Sequence, residues 1–173
     1  MINKGIKVVP NGVNINQFKP LNKEEQRKWV ENYFHVNFGS HLNIINVGRL
    51  SQEKGLRYLI KSLEYLSPAT KLFLVGDGPE KNSLEKLVEK LKLENRVIFM
   101  GKIAHEELPQ ILNVMDVFVL PAISMEGFSN SMLEAMACGL PVVTTPIGAG
   151  PEVIKEEIGI IVETKNPKKL ADA

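Results

Sequence analysis

The sequence predicts a doubly wound α/β fold, with one parallel sheet and helices on both of its faces. Two observations carry that prediction. From residue 44 onward, short apolar runs of the kind that form buried strands alternate with stretches whose apolar residues recur at helical spacing. Strands alternating with helices pair in parallel through right-handed crossovers. The loops that follow the strands hold most of the notable glycines and charges, and ligands of such sheets bind outside the carboxyl ends of the strands. Loops 48–55, 76–79, 101–104, 122–130 and 145–150 are therefore the places where chemistry is expected.

The elements follow in order. Residues 6–9 form a short apolar run ending in Pro10-Asn11-Gly12, a strand followed by a turn. Asn22 to Phe34 reads as a helix. Asn22 can cap it, Glu25 stands where a capping box needs an acid, and Trp29, Val30 and Tyr33 share a face. His35 nearby reads as solvated. Ile44 to Gly48 is a strand, and Leu56, Leu59, Ile60, Leu63 and Leu66 fall on one helical face. Lys71 to Gly76 is the next strand. Pro79 opens a helix whose apolar face is Leu84, Leu87, Val88 and Leu91. Arg96 to Met100 is a strand, and Leu108, Ile111, Leu112 and Met115 line a helix. After the strand Val117–Leu120 comes a helix capped by Ser129 or Asn130 and closed by Gly139 and Pro141. Pro141 to Thr144, a short helix over 151–155, Ile158 to Val162 and a helix opened by Pro167 complete the chain.

The composition is that of an ordinary soluble domain. The chain has 173 residues, 44% hydrophobic and 24% charged, enough for one sizeable core. A formal net charge of +1 gives no global field to recruit nucleic acid or membrane. The single cysteine, Cys138, allows no internal disulfide and reads as a small core residue. No run approaches the roughly 18 apolar residues of a membrane span, and no signal-peptide core follows the first residues.

The most informative stretch runs from Leu120 to Val143. Glu126 falls in its loop. Glu134 falls on a helix where Met132, Leu133, Ala135, Met136, Ala137 and Cys138 leave almost no polar face, so the helix is expected to be buried. A buried carboxylate is costly without a partner. Glu134 therefore either reaches the surface, or pairs with a nearby lysine, or points to a ligand whose hydroxyls it accepts. The stretch Glu126-Gly127-Phe128-Ser129 through Glu134-Ala135-Met136-Ala137-Cys138-Gly139-Leu140-Pro141-Val142-Val143 resembles the E-x7-E signature of retaining GT-B glycosyltransferases. Its form is that of glycosyltransferase group 1, also called family 4. The resemblance implies a fold that is Rossmann-like, the C-terminal half of a GT-B fold. Pro10-Asn11-Gly12-Val13, with Phe18 and Pro20, is similar to the family's passage between domains.

Other loops extend the resemblance. Gly48-Arg49-Leu50-Ser51-Gln52-Glu53-Lys54-Gly55 runs from a strand end toward a helix start. In isolation, Arg49 and Lys54 read as solvated cations. An arginine fork and a compact ammonium also suit phosphate oxygens, and the stretch resembles the family's diphosphate-binding loop. Gly76-Asp77-Gly78-Pro79 is not a dinucleotide fingerprint, because the third glycine position holds Lys81. An NAD-dependent reductase is thereby disfavoured, and by resemblance Gly76 and Gly78 form a wall of the nucleotide site. Gly101-Lys102-Ile103 resembles the strand end where backbone groups meet the base. The resemblance implies that Glu126, Arg49 and Lys54 do the catalytic work. It implies that Gly48, Gly76, Gly78, Lys102, Ile103, Gly127, Phe128, Ser129, Asn130, Ser131 and Glu134 bind the donor. Asn130 and Ser131 would stand at a helix N-terminus, which favours phosphate, and Glu134 would accept the ribose hydroxyls. Many relatives have Gly-Leu where this chain has Ser129-Asn130, a departure that bears on donor-sugar preference.

Two glutamates also invite a glycosidase reading. A fully helical eight-residue separation rises about 12 Å, against roughly 5 Å for a retaining hydrolase pair, so that reading is set aside. His35, His41 and His105 are scattered and no Asp-x-Asp pair occurs. No metal and no cofactor are expected, the nucleotide sugar being a substrate.

The expectation is the donor-binding domain of a retaining glycosyltransferase. It would move a sugar from a nucleotide sugar, UDP-linked by expectation, to an acceptor hydroxyl in polysaccharide, lipopolysaccharide or glycolipid synthesis. Residues 1–20 are expected to be an interdomain connection and first strand, and residues 21–173 the nucleotide-sugar-binding domain. An N-terminal domain holding the acceptor sugar or lipid-linked sugar is expected to be absent, and the last helix to be cut short. The expected location is cytoplasmic, with peripheral association at the inner face of the membrane in a longer protein. The alternatives are a catalytically inactive nucleotide-sugar-binding module, or a scaffold for protein contacts.

Overall fold

The computed structural model describes residues 11–124 and 126–173. The expected strand at 6–9 and Pro10 of the interdomain turn lie outside them. Among the described residues six strands form one all-parallel sheet: β1 (Asn43–Val47), β2 (Lys71–Val75), β3 (Val97–Gly101), β4 (Val117–Leu120), β5 (Val142–Thr144) and β6 (Gly159–Ile161). Their order is β3-β2-β1-β4-β5-β6. The chain works outward from β1 through β2 to β3, then returns to the far side of β1 with β4. That reversal between β1 and β4 is a topological switch point, where a doubly wound sheet opens a crevice at the strands' carboxyl ends.

The apolar runs read as strands because both faces of the sheet are covered. Ile45, Phe73, Val75, Phe118, Leu120 and Val142 pack on one side. There they meet α1 (Lys23–Phe34), α4 (Leu108–Leu112) and α5 (Asn130–Ala137) through Val30, Ile111, Met132 and Ala135. Ile44, Leu72, Leu74, Val119 and Val143, the alternate residues, pack on the other side. Their partners are α2 (Leu56–Ser62), α3 (Lys81–Leu91) and α7 (Pro167–Asp172), through Leu59, Ile60, Leu84, Val88 and Leu170. A short helix, α6 (Gly150–Val153), joins β5 to β6. As the sequence predicts, Asn22 caps α1, accepting from Glu24 N and Glu25 N.

Among the boundaries that differ from the sequence reading, two are set by contacts with distant segments. Helix α3 begins at Lys81, not at Pro79. Leu50 N donates to Asp77 O and Glu80 N donates to Leu50 O, which holds residues 77–80 against the loop after β1. Helix α4 stops at Leu112, not at Met115. The Asn113 side chain donates to Pro109 O and Lys19 O and accepts from Leu21 N, competing with the next helical turn. Helix α2 ends at Ser62 and tightens into a 3₁₀ turn before Leu66 goes extended.

Candidate active site

The loops after β1 and β4 straddle the switch point, and each brings one charged group to it. Lys54 Nζ lies 2.6 Å from Glu126 Oε2, joining residues 72 apart in sequence. The Glu126 side chain is only 9% exposed and that of Lys54 21%, so the pair is largely screened from water. The loops are also tied through backbone, with Ile123 N donating to Glu53 O at 2.8 Å. Beneath them, three buried side chains brace the end of β4. Asn46 Nδ2 donates to Val119 O, Thr144 Oγ1 to Leu120 O and Thr145 Oγ1 to Ala122 O. The Glu126 loop thus leaves the sheet from a fixed base.

Beside this pair lies a cleft of about 540 Å³ lined by Arg49, Asp77, Gly78 and Lys102, from the loops after β1, β2 and β3. Arg49 and Lys102 outweigh the one carboxylate, Asp77, whose Oδ1 already accepts from Gly78 N, so the cleft at the carboxyl end of the sheet is net positive and suits an anion. The glycine pair at 76 and 78 serves close approach between loops. A Cβ on Gly76 would stand 1.9 Å from Gly48 O, and one on Gly78 2.4 Å from Leu50 O. Ile103 is half-buried and packs against the core. A separate groove of about 260 Å³ lies at the amino ends of the strands, walled by apolar residues such as Leu42, Ile44, Val117 and Leu170. It lacks the convergent charges of the cleft and lies at the wrong end of the sheet for a doubly wound fold's ligand.

Helix α5 opens where the sequence places it. Ser129, not Asn130, is the cap, its Oγ accepting from Met132 N at 3.3 Å. Ser131 Oγ lies 3.2 Å from Ser129 Oγ, and Asn130 Oδ1 accepts from Asn11 Nδ2 at 2.9 Å. Gly127 is open, with nothing within 4 Å of the place a Cβ would occupy, and Phe128 is half-buried. The expectation of a fully buried helix is corrected. Met132, Ala135 and Cys138 are buried, but Leu133, Met136 and Ala137 are half-buried, because only the sheet side of the helix is covered. Burial pushes the Cys138 thiol up to about 11, which keeps it protonated and inert.

Glu134 neither reaches open water nor pairs with a lysine. Its side chain is 12% exposed, and Oε1 lies 2.8 Å from His105 Nε2. The helix that carries Glu134 begins at Asn130, so the two glutamates are not joined by continuous helix and the rise argument against a hydrolase pair does not apply. What separates their roles is their partners: Lys54 for Glu126, His105 for Glu134. Sequence reasoning missed His105 because nothing local marks it. It also missed Gly148, which sits at φ +65° with its Cβ position 2.4 Å from Glu126 O, and whose neighbour Ala149 N donates to Gly127 O at 3.2 Å. Among the described residues no group of three or more His, Cys, Asp or Glu could hold a metal ion, and no helix is long and apolar enough to cross a membrane.

The parallel sheet, covered by helices on both faces and reversing its strand order between β1 and β4, defines a doubly wound α/β domain. Residues 34–173 match the Glycosyl transferases group 1 family, and the chain belongs to that family. An uncharacterized glycosyltransferase of Methanocaldococcus jannaschii is 34% identical over 96% of the chain and 43% of its own length. The chain spans about two fifths of the curated relatives it matches. Among solved structures, Anabaena Alr3699/HepE in complex with UDP-glucose superposes with a TM-score of 0.85 at 30% identity, covering 96% of this chain and 46% of that one. The C-terminal domain of the group 1 family protein LpcC from Francisella tularensis gives 0.78 at 28% identity, covering 93% and 85%. The fold is that of the Rossmann-like C-terminal domain of GT-B glycosyltransferases.

Proposed function

We propose that this domain binds a nucleotide sugar, UDP-linked, and serves a glycosyltransferase that retains configuration at the anomeric carbon. The Lys54–Glu126 pair at the switch point, beside a cleft that holds two further cations, carries this reading. Arg49 and Lys54 meet the diphosphate as charge-assisted donors, and Lys54 stabilises it as it leaves. Glu126 stands beside the donor sugar. Its short bond to Lys54 fixes the orientation of both groups. The start of α5 faces the donor phosphate, and Glu134 accepts the ribose hydroxyls. The UDP-glucose bound by the Anabaena protein supports the choice of nucleotide. A thermal-shift screen over nucleoside diphosphates and their sugars, followed by calorimetry, tests the reading. UDP and a UDP-sugar are expected to stabilise the chain, and failure of every nucleotide to bind would overturn it.

Two expected results follow from this assignment. Glu134→Gln folds normally but binds UDP about ten-fold more weakly, since hydrogen bonds to a charged group are worth roughly 1.5–3 kcal/mol. Its effect on 2′,3′-dideoxy-UDP is smaller. A loss of thermal stability with unchanged affinity would make Glu134 a structural residue. The second result concerns turnover. Group transfer draws much of its rate from holding two reactants together, and the ligand loops of this chain border the site from one side only. The acceptor, a sugar or lipid-linked sugar, is held by a further domain outside these 173 residues. The chain alone is expected to bind donor yet release UDP at no measurable rate with any acceptor. Efficient acceptor-dependent release by the 173-residue chain would show that a second domain is not needed.

A further inference from the structure

Resting on the reading of Glu134 as the ribose acceptor, we infer that His105 is a positioning residue for that carboxylate, and that Gln17 and Phe18 set the His105 ring. Although His105 is more than half exposed, its ring is held from several sides. Nε2 bonds Glu134 Oε1 at 2.8 Å. The ring centroid lies 5.1 Å from that of Phe18, tilted by 56°, and Phe18 is itself only 1% exposed. Gln17 Nε2 donates to His105 O at 3.3 Å and stands 3.5 Å from Nδ1. A carboxylate oxygen accepts, so in this bond Nε2 carries the ring proton and donates to Glu134, and the Gln17 amide faces the other nitrogen. With Oε1 so engaged, one carboxylate rotamer persists and Oε2 is the oxygen presented to vicinal hydroxyls. Gln17 and Phe18, which lie ahead of the first helix, thereby act on a group on α5.

Calorimetric titration of the 173-residue chain with UDP and with 2′,3′-dideoxy-UDP tests this. His105→Ala is expected to weaken UDP roughly three- to ten-fold, the cost of ordering one freed side chain on binding. Dideoxy-UDP should change by less than about two-fold, because it lacks the hydroxyls that Glu134 would hold. His105→Gln, which keeps a donor near Oε1, is expected to recover most of the loss, and Gln17→Ala to show a smaller loss in the same direction. Glu134→Gln reads the underlying assignment. If it leaves the preference for UDP over dideoxy-UDP unchanged, the ribose reading falls and the positioning role with it. If it removes that preference while His105→Ala does not reduce it, only the positioning role falls. Tighter UDP binding by His105→Ala would show that the ring competes for the carboxylate, and would also overturn the inference.

Discussion

Lys54→Ala is expected to lower UDP affinity ten-fold or more and to lower Tm, whereas Arg49→Ala should lower UDP affinity comparably with little change in Tm. The difference lies in what each residue leaves behind. Lys54 is the cation against Glu126, whose side chain is only 9% exposed. Removing it strands a nearly buried carboxylate, which costs about 1–3 kcal/mol, or roughly 3–10 °C in Tm for a domain of this size. Arg49 lines the cleft and makes no salt bridge among the described residues. Its loss is felt when a diphosphate arrives, because a charge-assisted contact is worth roughly 1.5–3 kcal/mol. Uridine, with no diphosphate, should bind both variants nearly as well as the parent. Adding Glu126→Gln to Lys54→Ala should restore Tm without restoring UDP affinity. Equal losses for UDP and uridine would remove the phosphate role. An unchanged Tm for Lys54→Ala would show that the pair does not stabilise the fold.

The sheet was legible because its strands are covered on both faces. Runs such as Leu72-Phe73-Leu74-Val75 have no polar member, and each alternates between two helix layers. Helix ends were legible where a side chain caps them, as at Asn22 and Ser129. They were not where a distant segment intervened. Leu50 reaches across to residues 77–80, and Asn113 bonds to residues 19 and 21. The site divides the same way. Arg49, Lys54, Glu126 and Glu134 stand within local motifs, so the motifs nominate them. That Lys54 meets Glu126, and that Glu134 meets His105, depends on strand order, which brings segments from opposite halves of the sheet together. Gly76 and Gly78 were expected as a wall of the site, but their lack of side chains has a packing reason, the approach of Gly48 and Leu50. No local pattern separates a glycine that faces a ligand from one that faces another loop.

That distinction gives a second large effect, at Gly148 and Gly127. Gly148→Ala should be among the most damaging single-methyl changes near the site. Its φ of +65° is left-handed, which costs an L-residue about 1–2 kcal/mol. The added methyl would also stand 2.4 Å from Glu126 O and 2.5 Å from Gly127 O. Both are backbone atoms that no rotamer change can move, so the loop carrying Glu126 must shift and the bond from Ala149 N to Gly127 O must stretch. Overpacking of this kind costs a further 1–3 kcal/mol or so, and the sum corresponds to a Tm lowered by roughly 5–15 °C. UDP-sugar affinity should fall with it, because Glu126 is displaced from Lys54. Gly127→Ala, on the same loop, should separate binding from stability. A methyl there meets nothing within 4 Å, so Tm should move by less than about 2 °C. UDP-glucose binding should nonetheless weaken if, as proposed, the donor approaches the backbone of this loop. Differential scanning calorimetry and titration of the two variants with UDP-glucose separate the cases. A Gly148→Ala protein with parental Tm would show that the loop contact is dispensable, and parental UDP-glucose affinity in Gly127→Ala would place the donor elsewhere than against this loop.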